Sequence, residues 1–257
     1  AVKAIETSMP MDNPAAVRQL LSLAEEGRQF AQNGLNASWG SLEDISEPVD
    51  AAAKGITLTG VELIQICRFL QAVESAKKLF DKEKYPLLCE MAETMEDLPR
   101  LRNEIEKSID LSGSVRDDAT PELRGLHRQL LADKADLQAK TRNFIKSHES
   151  DLMDTTTTMI GGRMCVLMKA SSKNKFGGMI HGSSQSGMAF YAEPAALVAL
   201  NNEIQSSQAR IEEEKMKILK DLSRLVKSSR EVLESDTETF LEIDVALAKG
   251  QWAYHVD

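Results

Sequence analysis

The sequence predicts a mainly α protein, in which a helical bundle base gives rise to a long antiparallel two-helix arm carrying a small β-sheet tip. Three observations predict it. Residues 155–193 mix β-branched, aromatic and apolar residues with six of the chain's 14 glycines, spaced as turns between three or four short strands. The segments on either side repeat apolar residues every seven positions. The first 119 residues are divided by helix caps and first-turn prolines.

The arm opens at Thr120-Pro121, an N-cap followed by proline at the first helical position. Leu123, Leu130, Leu137 and Phe144 follow at sevens. The returning helix begins near Pro194 and carries Leu197, Ile204, Ile211, Ile218, Leu225 and Val232. Four positions on, Asn201, Gln208, Lys215 and Ser229 are polar and only Leu222 is apolar, so the seam is narrow and lacks a full second column. Such a seam suits helices that pair with each other and meet water elsewhere; two amphipathic helices laid on a larger body is the other reading. About 30 residues at 1.5 Å each make an arm of roughly 45 Å.

In the base, Asn13-Pro14 opens a helix that Asn33-Gly34 closes. Residues 35–55 read as loop. Thr59 with Glu62 has the pattern of a capping box, and Val61, Ile64, Leu70, Val73 and Leu79 mark one face of the helix behind it. Pro86 and Pro99 each start a helix, residues 110–119 form a polar turn, and Ser235-Asp236 reads as a break. Phe240, Ile243, Leu247 and Trp252 give a last stripe expected to return to the N-terminal bundle. The expected division is 1–119 helical base, 120–154 outgoing helix, 155–193 β-rich tip, 194–234 returning helix and 235–257 helix back to the base.

A chain of 257 residues can form one large or two modest domains. Aromatics at 5% and charges at 28% fit thin helical cores. Cys67, Cys89 and Cys165 are odd in number, far apart and without a CxxC, which argues against a disulfide framework or zinc site and for a reducing compartment. The chain holds no apolar run of 18 residues, which predicts a soluble protein, and its start at Ala1 reads as a trimmed or processed chain.

Catalytic signatures are missing from the sequence. It has no GxxxxGK[ST] phosphate cradle, no GxGxxG after a strand, no HExxH and no GxSxG elbow. His127, His148, His181 and His255 are scattered. Ser184 and Ser186 near His181 read as turn hydroxyls, and Glu212, Glu213 and Glu214 fan around a helix instead of converging. The reading is of a chain that is not itself an enzyme and holds no cofactor or metal.

What stands out is charge. Residues 155–193 carry Arg163, Lys169, Lys173 and Lys175 against Glu193 alone, within a chain of net charge −9. A basic, glycine-rich extremity on an acidic protein points to phosphate contact by those four cations without sequence readout. The rival reading is a protein-interaction surface formed by Met179, His181, Met188, Phe190 and Tyr191, although alternation of this kind more often marks the tip's own core.

Gly162-Arg163-Met164-Cys165-Val166-Leu167-Met168-Lys169-Ala170 resembles the "GRYVLPVKA" strand of the second MutS branch, the recombination-suppressing MutS homologues of bacteria and plastids. Gly178-Met179-Ile180-His181, Ser184, Ser186-Gly187 and Glu193-Pro194 resemble that family's "GIVHDQSASGQTLFIEP". Leu200-Asn201-Asn202-Glu203 matches its "LNNE", and Ala119-Thr120-Pro121-Glu122-Leu123 its "ASPEL". The family's proline, aspartate and threonine are replaced here by Leu167, Gly182 and Ala189, and Cys165 resembles plant-type members.

The resemblance implies the core (lever) and clamp region of a homodimeric protein whose ATPase domain, with ATP and magnesium, and C-terminal endonuclease domain lie outside this stretch. It implies engagement of branched or double-stranded DNA and suppression of recombination. The alternative it implies is a dimerisation or ribosome-engaging module that splits collided ribosomes. The expected location is cytoplasm and nucleoid, or plastid stroma, with no membrane partner.

Overall fold

The computed structural model describes residues 12–37, 39, 42–175 and 177–256; the side chain of Lys175 lies outside what is described. The fold is mainly α with one small antiparallel sheet, as the sequence predicts. It divides into two units, one taking the chain up to Arg116 and again from Ile218, the other Asp117–Lys217.

In the first unit, helix α1 (Pro14–Gln32) begins as expected, with the Asn13 carboxamide accepting from Ala15 N–H at 3.0 Å, and Gly34 follows it at φ +72°. Helix α2 (Ser46–Ala53) forms inside the stretch expected to be loop, because Val49 and Ala52 find a core to bury against and Pro48 sits harmlessly in the first turn. Helix α3 (Gly60–Leu79) starts with the predicted capping box. The Thr59 hydroxyl accepts from Glu62 N–H, and the Glu62 carboxylate from Thr59 N–H. Its burial is broader than the single face expected: Leu63, Ile66, Phe69 and Val73 are all inside, while Val61 faces out.

Helices α4 (Pro86–Thr94) and α5 (Pro99–Ser108) start at their prolines. The N-terminus of α4 is capped from another helix. The buried carboxylate of Glu26, on α1, accepts from the N–H groups of Leu87 and Leu88 at 3.0 and 2.9 Å.

The last helix, α8 (Arg230–Val256), lies on α1 as the final stripe predicts, with Phe240, Ile243 and Leu247 buried and Trp252 70% exposed. Phe240 is held edge-on between Trp39 and Phe69, at ring separations of 5.0 and 5.6 Å. The two helices touch backbone to backbone at Gly27 and Gly250. A Cβ on Gly250 would stand 2.2 Å from the Gly27 carbonyl carbon and 2.3 Å from Arg28 N. The break expected at Ser235-Asp236 falls instead at Ser229, and Asp236 sits inside α8, where its carboxylate accepts from Glu96 N–H at 3.1 Å.

In the second unit, helix α6 (Pro121–Ser147) runs antiparallel to the first part of α7 (Ala195–Ser228). At one end Thr120 bonds Glu214 at 3.3 Å and Lys217 pairs with Glu122 at 3.9 Å. At the other, the Thr141 hydroxyl and the Asn201 amide both reach Met164. Leu197, Ile204, Ile211 and Ile218 are buried as the sevens predict. The missing second column does exist, but three residues on: Leu200, Ser207 and Glu214 in α7, Leu126 and Asp133 in α6. Beyond Ile218 the buried positions move to Leu222, Val226 and Leu233, leaving Leu225 and Val232 half-buried. A straight helix drifts about 20° per heptad, so a strict count of seven walks off its own face.

Between these helices the chain makes 3-10 turns at Glu149–Asp151 and Ala170–Lys175 and four strands: β1 (Leu152–Ile160), β2 (Arg163–Lys169), β3 (Gly178–Ser183) and β4 (Ala189–Pro194). They form one antiparallel sheet in the order β1-β2-β4-β3. The β1–β2 turn is the two-residue Gly161-Gly162, both at positive φ as such hairpins require. One face buries Leu152, Val166, Met168, Phe190 and Ala192 against Phe144 and Ile145 at the end of α6.

Candidate nucleic-acid interface

The opposite face of the sheet is built around one carboxylate. Period-two alternation puts Arg163 and Cys165 of β2 on the same side as Glu193 of β4. Glu193 is fully buried. Arg163 grips it with two parallel bonds, Nε and Nη2 each donating at 2.7 Å, and Nη2 also donates to Asn202 at 2.7 Å. Asn201, in the first turns of α7, donates to the same carboxylate at 2.9 Å while its own carbonyl accepts from Met164 N–H at 3.0 Å. A fourth bond comes from His181 Nε2 at 2.7 Å.

His181 reaches Glu193 because β3 is irregular there. Ile180 pairs with Ala192 and Gly182 with Tyr191, so His181 is the extra residue of a bulge, which turns its side chain inward. Burial by itself would raise the Glu193 carboxyl; the bonds from Arg163, His181 and Asn201 outweigh it and hold the group below the usual carboxylate range. The network thus ties three elements, β2, β3 and α7, to β4 through one side chain. Cys165 lies beside it with its thiol pushed up to about 11, mainly by burial, which removes it from thiolate chemistry at neutral pH.

The expected phosphate contacts fare differently from one another. Arg163 is held by Glu193 in a two-bond ion pair, with its side chain 18% exposed. Lys169 is half-buried, donating to Ser150 carbonyl at 2.8 Å, and Lys173 is exposed on the turn after β2. The side chain of Lys175 lies outside the described residues. Over the span from the 3-10 turn at Glu149 to the end of β4 at Pro194 the acids are Glu149, Asp151, Asp154 and Glu193, matching the four cations.

Of the residues expected on an interaction surface, Phe190 belongs to the sheet's own core and Tyr191 is half-buried, while Met179 and Met188 are 42% and 61% exposed. His181 serves as the internal fastening just described. Sequence reading missed Glu193, Asn201 and Asn202 as a unit, since only the pairing of β2 with β4 brings them together. Among the described residues no group of three potential metal ligands occurs, and no helix is long and apolar enough to cross a membrane.

The architecture is that of a helical protein whose antiparallel helix pair carries a small, internally locked sheet. Over nearly its whole length the chain is similar to proteins named endonuclease MutS2. It is 28% identical to that of Halothermothrix orenii across 98% of this chain and 34% of the relative. It is 30% identical to that of Clostridium beijerinckii (97% and 32%) and to that of Caldanaerobacter subterraneus (94% and 31%). The chain therefore spans about a third of the length of the curated relatives it matches. No protein-family model matches it.

Proposed function

We propose that this chain is the lever and clamp segment of a MutS2-type DNA-binding protein, and that its Asp117–Lys217 unit meets the phosphate backbone of branched or duplex DNA without reading bases. The observation that carries this reading is the similarity to MutS2 proteins along nearly the whole of this chain, joined to a sheet fastened to α7 by Glu193. A sheet fastened to α7 through one buried carboxylate suits a part that positions DNA. In the whole protein, ATP and magnesium would be held by a separate ATPase domain, cleavage would belong to a nuclease domain, and two copies would act together in restraining recombination in the cytoplasm or nucleoid. Residues 1–119 and 235–257 would form the lever base, 120–154 and 194–234 the arm, and 155–193 the clamp tip. Lys169 and Lys173 would supply phosphate contacts at the sheet.

Fluorescence anisotropy with a labelled four-way junction and a duplex of equal length tests the reading. Saturable binding is expected to both, tighter to the junction, insensitive to scrambling the sequence. Affinity should fall linearly with the logarithm of salt concentration between about 50 and 200 mM. Absence of saturable binding at the low end of that range would remove DNA contact from this segment.

A further inference from the structure

The outer face of α6 carries a longer cationic surface than the sheet does. At 3.6 residues per turn, Arg124, Arg128, Arg142 and Lys146 fall within a sector of about 40°, opposite the buried Leu126, Leu130 and Leu137. All four are exposed. Leu131, Ala135 and Gln138, which lie between them, carry no charge. The acids of α6 point elsewhere: Glu122 toward Lys217, Asp136 to Lys140, and Asp133 buried beside Gln129.

These cations have little to do within the fold. Arg124 donates to the Asp118 carbonyl at 3.4 Å, and among the described residues no hydrogen bond or ion pair engages Arg128, Arg142 or Lys146. On α7, by contrast, Lys215 pairs with Glu212 and Lys217 with Glu214. Like charges four residues apart repel, and α6 has two such pairs, Arg124 with Arg128 and Arg142 with Lys146. Only Lys146, in the last turn, is favoured by the helix dipole.

The stripe is also long. From Arg124 to Lys146 it extends roughly 33 Å at 1.5 Å per residue, close to one turn of B-form DNA, about 34 Å. Its far end adjoins the sheet, since Lys169 bonds Ser150 just after α6.

We propose that the outer face of α6 is a phosphate-tracking surface for duplex DNA, so that the duplex lies along the helix and the sheet's lysines extend the contact at its end. This rests on the DNA-binding reading above and moves most of the contact from sheet to helix. A double-helical polyanion is the occupant that a single-sign stripe of this length and spacing complements.

The test compares the whole 257-residue chain with Arg128→Gln/Arg142→Gln and with Lys169→Gln/Lys173→Gln. Each is titrated against a fluorescein-labelled DNA duplex of about 30 base pairs from about 50 to 200 mM salt. Glutamine is a good helix former on an exposed face, and circular dichroism verifies that each variant folds. The arginine variant is expected to bind about tenfold or more weakly at low salt, with the slope of log affinity against log salt smaller by about 2, the lysine variant losing less. An unchanged arginine variant alongside a weakened lysine variant overturns the proposal and leaves the DNA reading intact. Failure of the unsubstituted chain to bind overturns both. Tighter binding to double-stranded RNA of the same sequence overturns the assignment to DNA.

Discussion

Replacing Gly250 by alanine is expected to destabilise the first unit by about 2–3 kcal/mol, in spite of the roughly 1 kcal/mol that alanine gains over glycine inside a helix. The added methyl would lie 2.2 and 2.3 Å from backbone atoms of Gly27 and Arg28, where no side chain can swing aside. The helices α1 and α8 must therefore separate, loosening Leu23, Phe30 and Leu247 along the contact. Gly125, on α6, supplies the control, because a Cβ there meets nothing within 4 Å. Gly125→Ala should stabilise by about 0.5–1 kcal/mol. Urea unfolding followed by tryptophan fluorescence in a Trp252→Phe background, which leaves Trp39 as the sole reporter, reads the first effect, because that ring packs on Phe240 of α8; circular dichroism at 222 nm reads the second. A Gly250→Ala chain as stable as the unsubstituted one, or more so, would contradict the backbone contact.

Removing the Glu193 carboxylate is the other large effect. Glu193→Ala removes a fully buried carboxylate, leaving the Arg163 guanidinium without its counter-charge, His181 without its acceptor, and Asn201 with only its longer bond to the Met164 carbonyl. Breaking a buried pair from one side costs about 3–5 kcal/mol. Hydrogen exchange should show the amides of β2, β3 and β4 losing protection while those of α3 and α8 keep theirs. The same group sets an acid limit. Its folded pKa lies below the unfolded value, so its contribution is complete above the ordinary glutamate range and is lost as pH falls through the depressed folded value. Exchange in the sheet should therefore accelerate below about pH 4 in the unsubstituted chain, beyond the intrinsic rate change, with no such step in Glu193→Ala. Uniform loss of protection over the whole chain would instead mean that the sheet has no separate stability.

What the sequence made legible was local. Asn13-Pro14, Thr59 with Glu62, Pro86, Pro99 and Thr120-Pro121 all mark helix starts, since a cap acts within three or four residues of itself. The glycine-rich island was readable as a sheet because Gly161-Gly162 can scarcely be anything but a tight turn between strands. The failures are non-local or cumulative. Helix α2 depends on burial of Val49 and Ala52, which no window of sequence reveals. The seam drifted from Leu225 to Val226 because small angular errors add over several heptads. Arg163 looked like a free cation because its partner is 30 residues away, and the bulge that delivers His181 to the same carboxylate has no signature of its own.

The central claim is that DNA lies against the Asp117–Lys217 unit. It is tested most directly by photocrosslinking, with a reactive group placed in turn at positions 128, 142, 173 and, as a reference in the other unit, the exposed position 68. With labelled duplex bound at low salt, crosslinks should form from 128, 142 and 173 and fade together as salt rises, with background from 68. Crosslinks concentrated at position 68, or equal at all four sites, would contradict it.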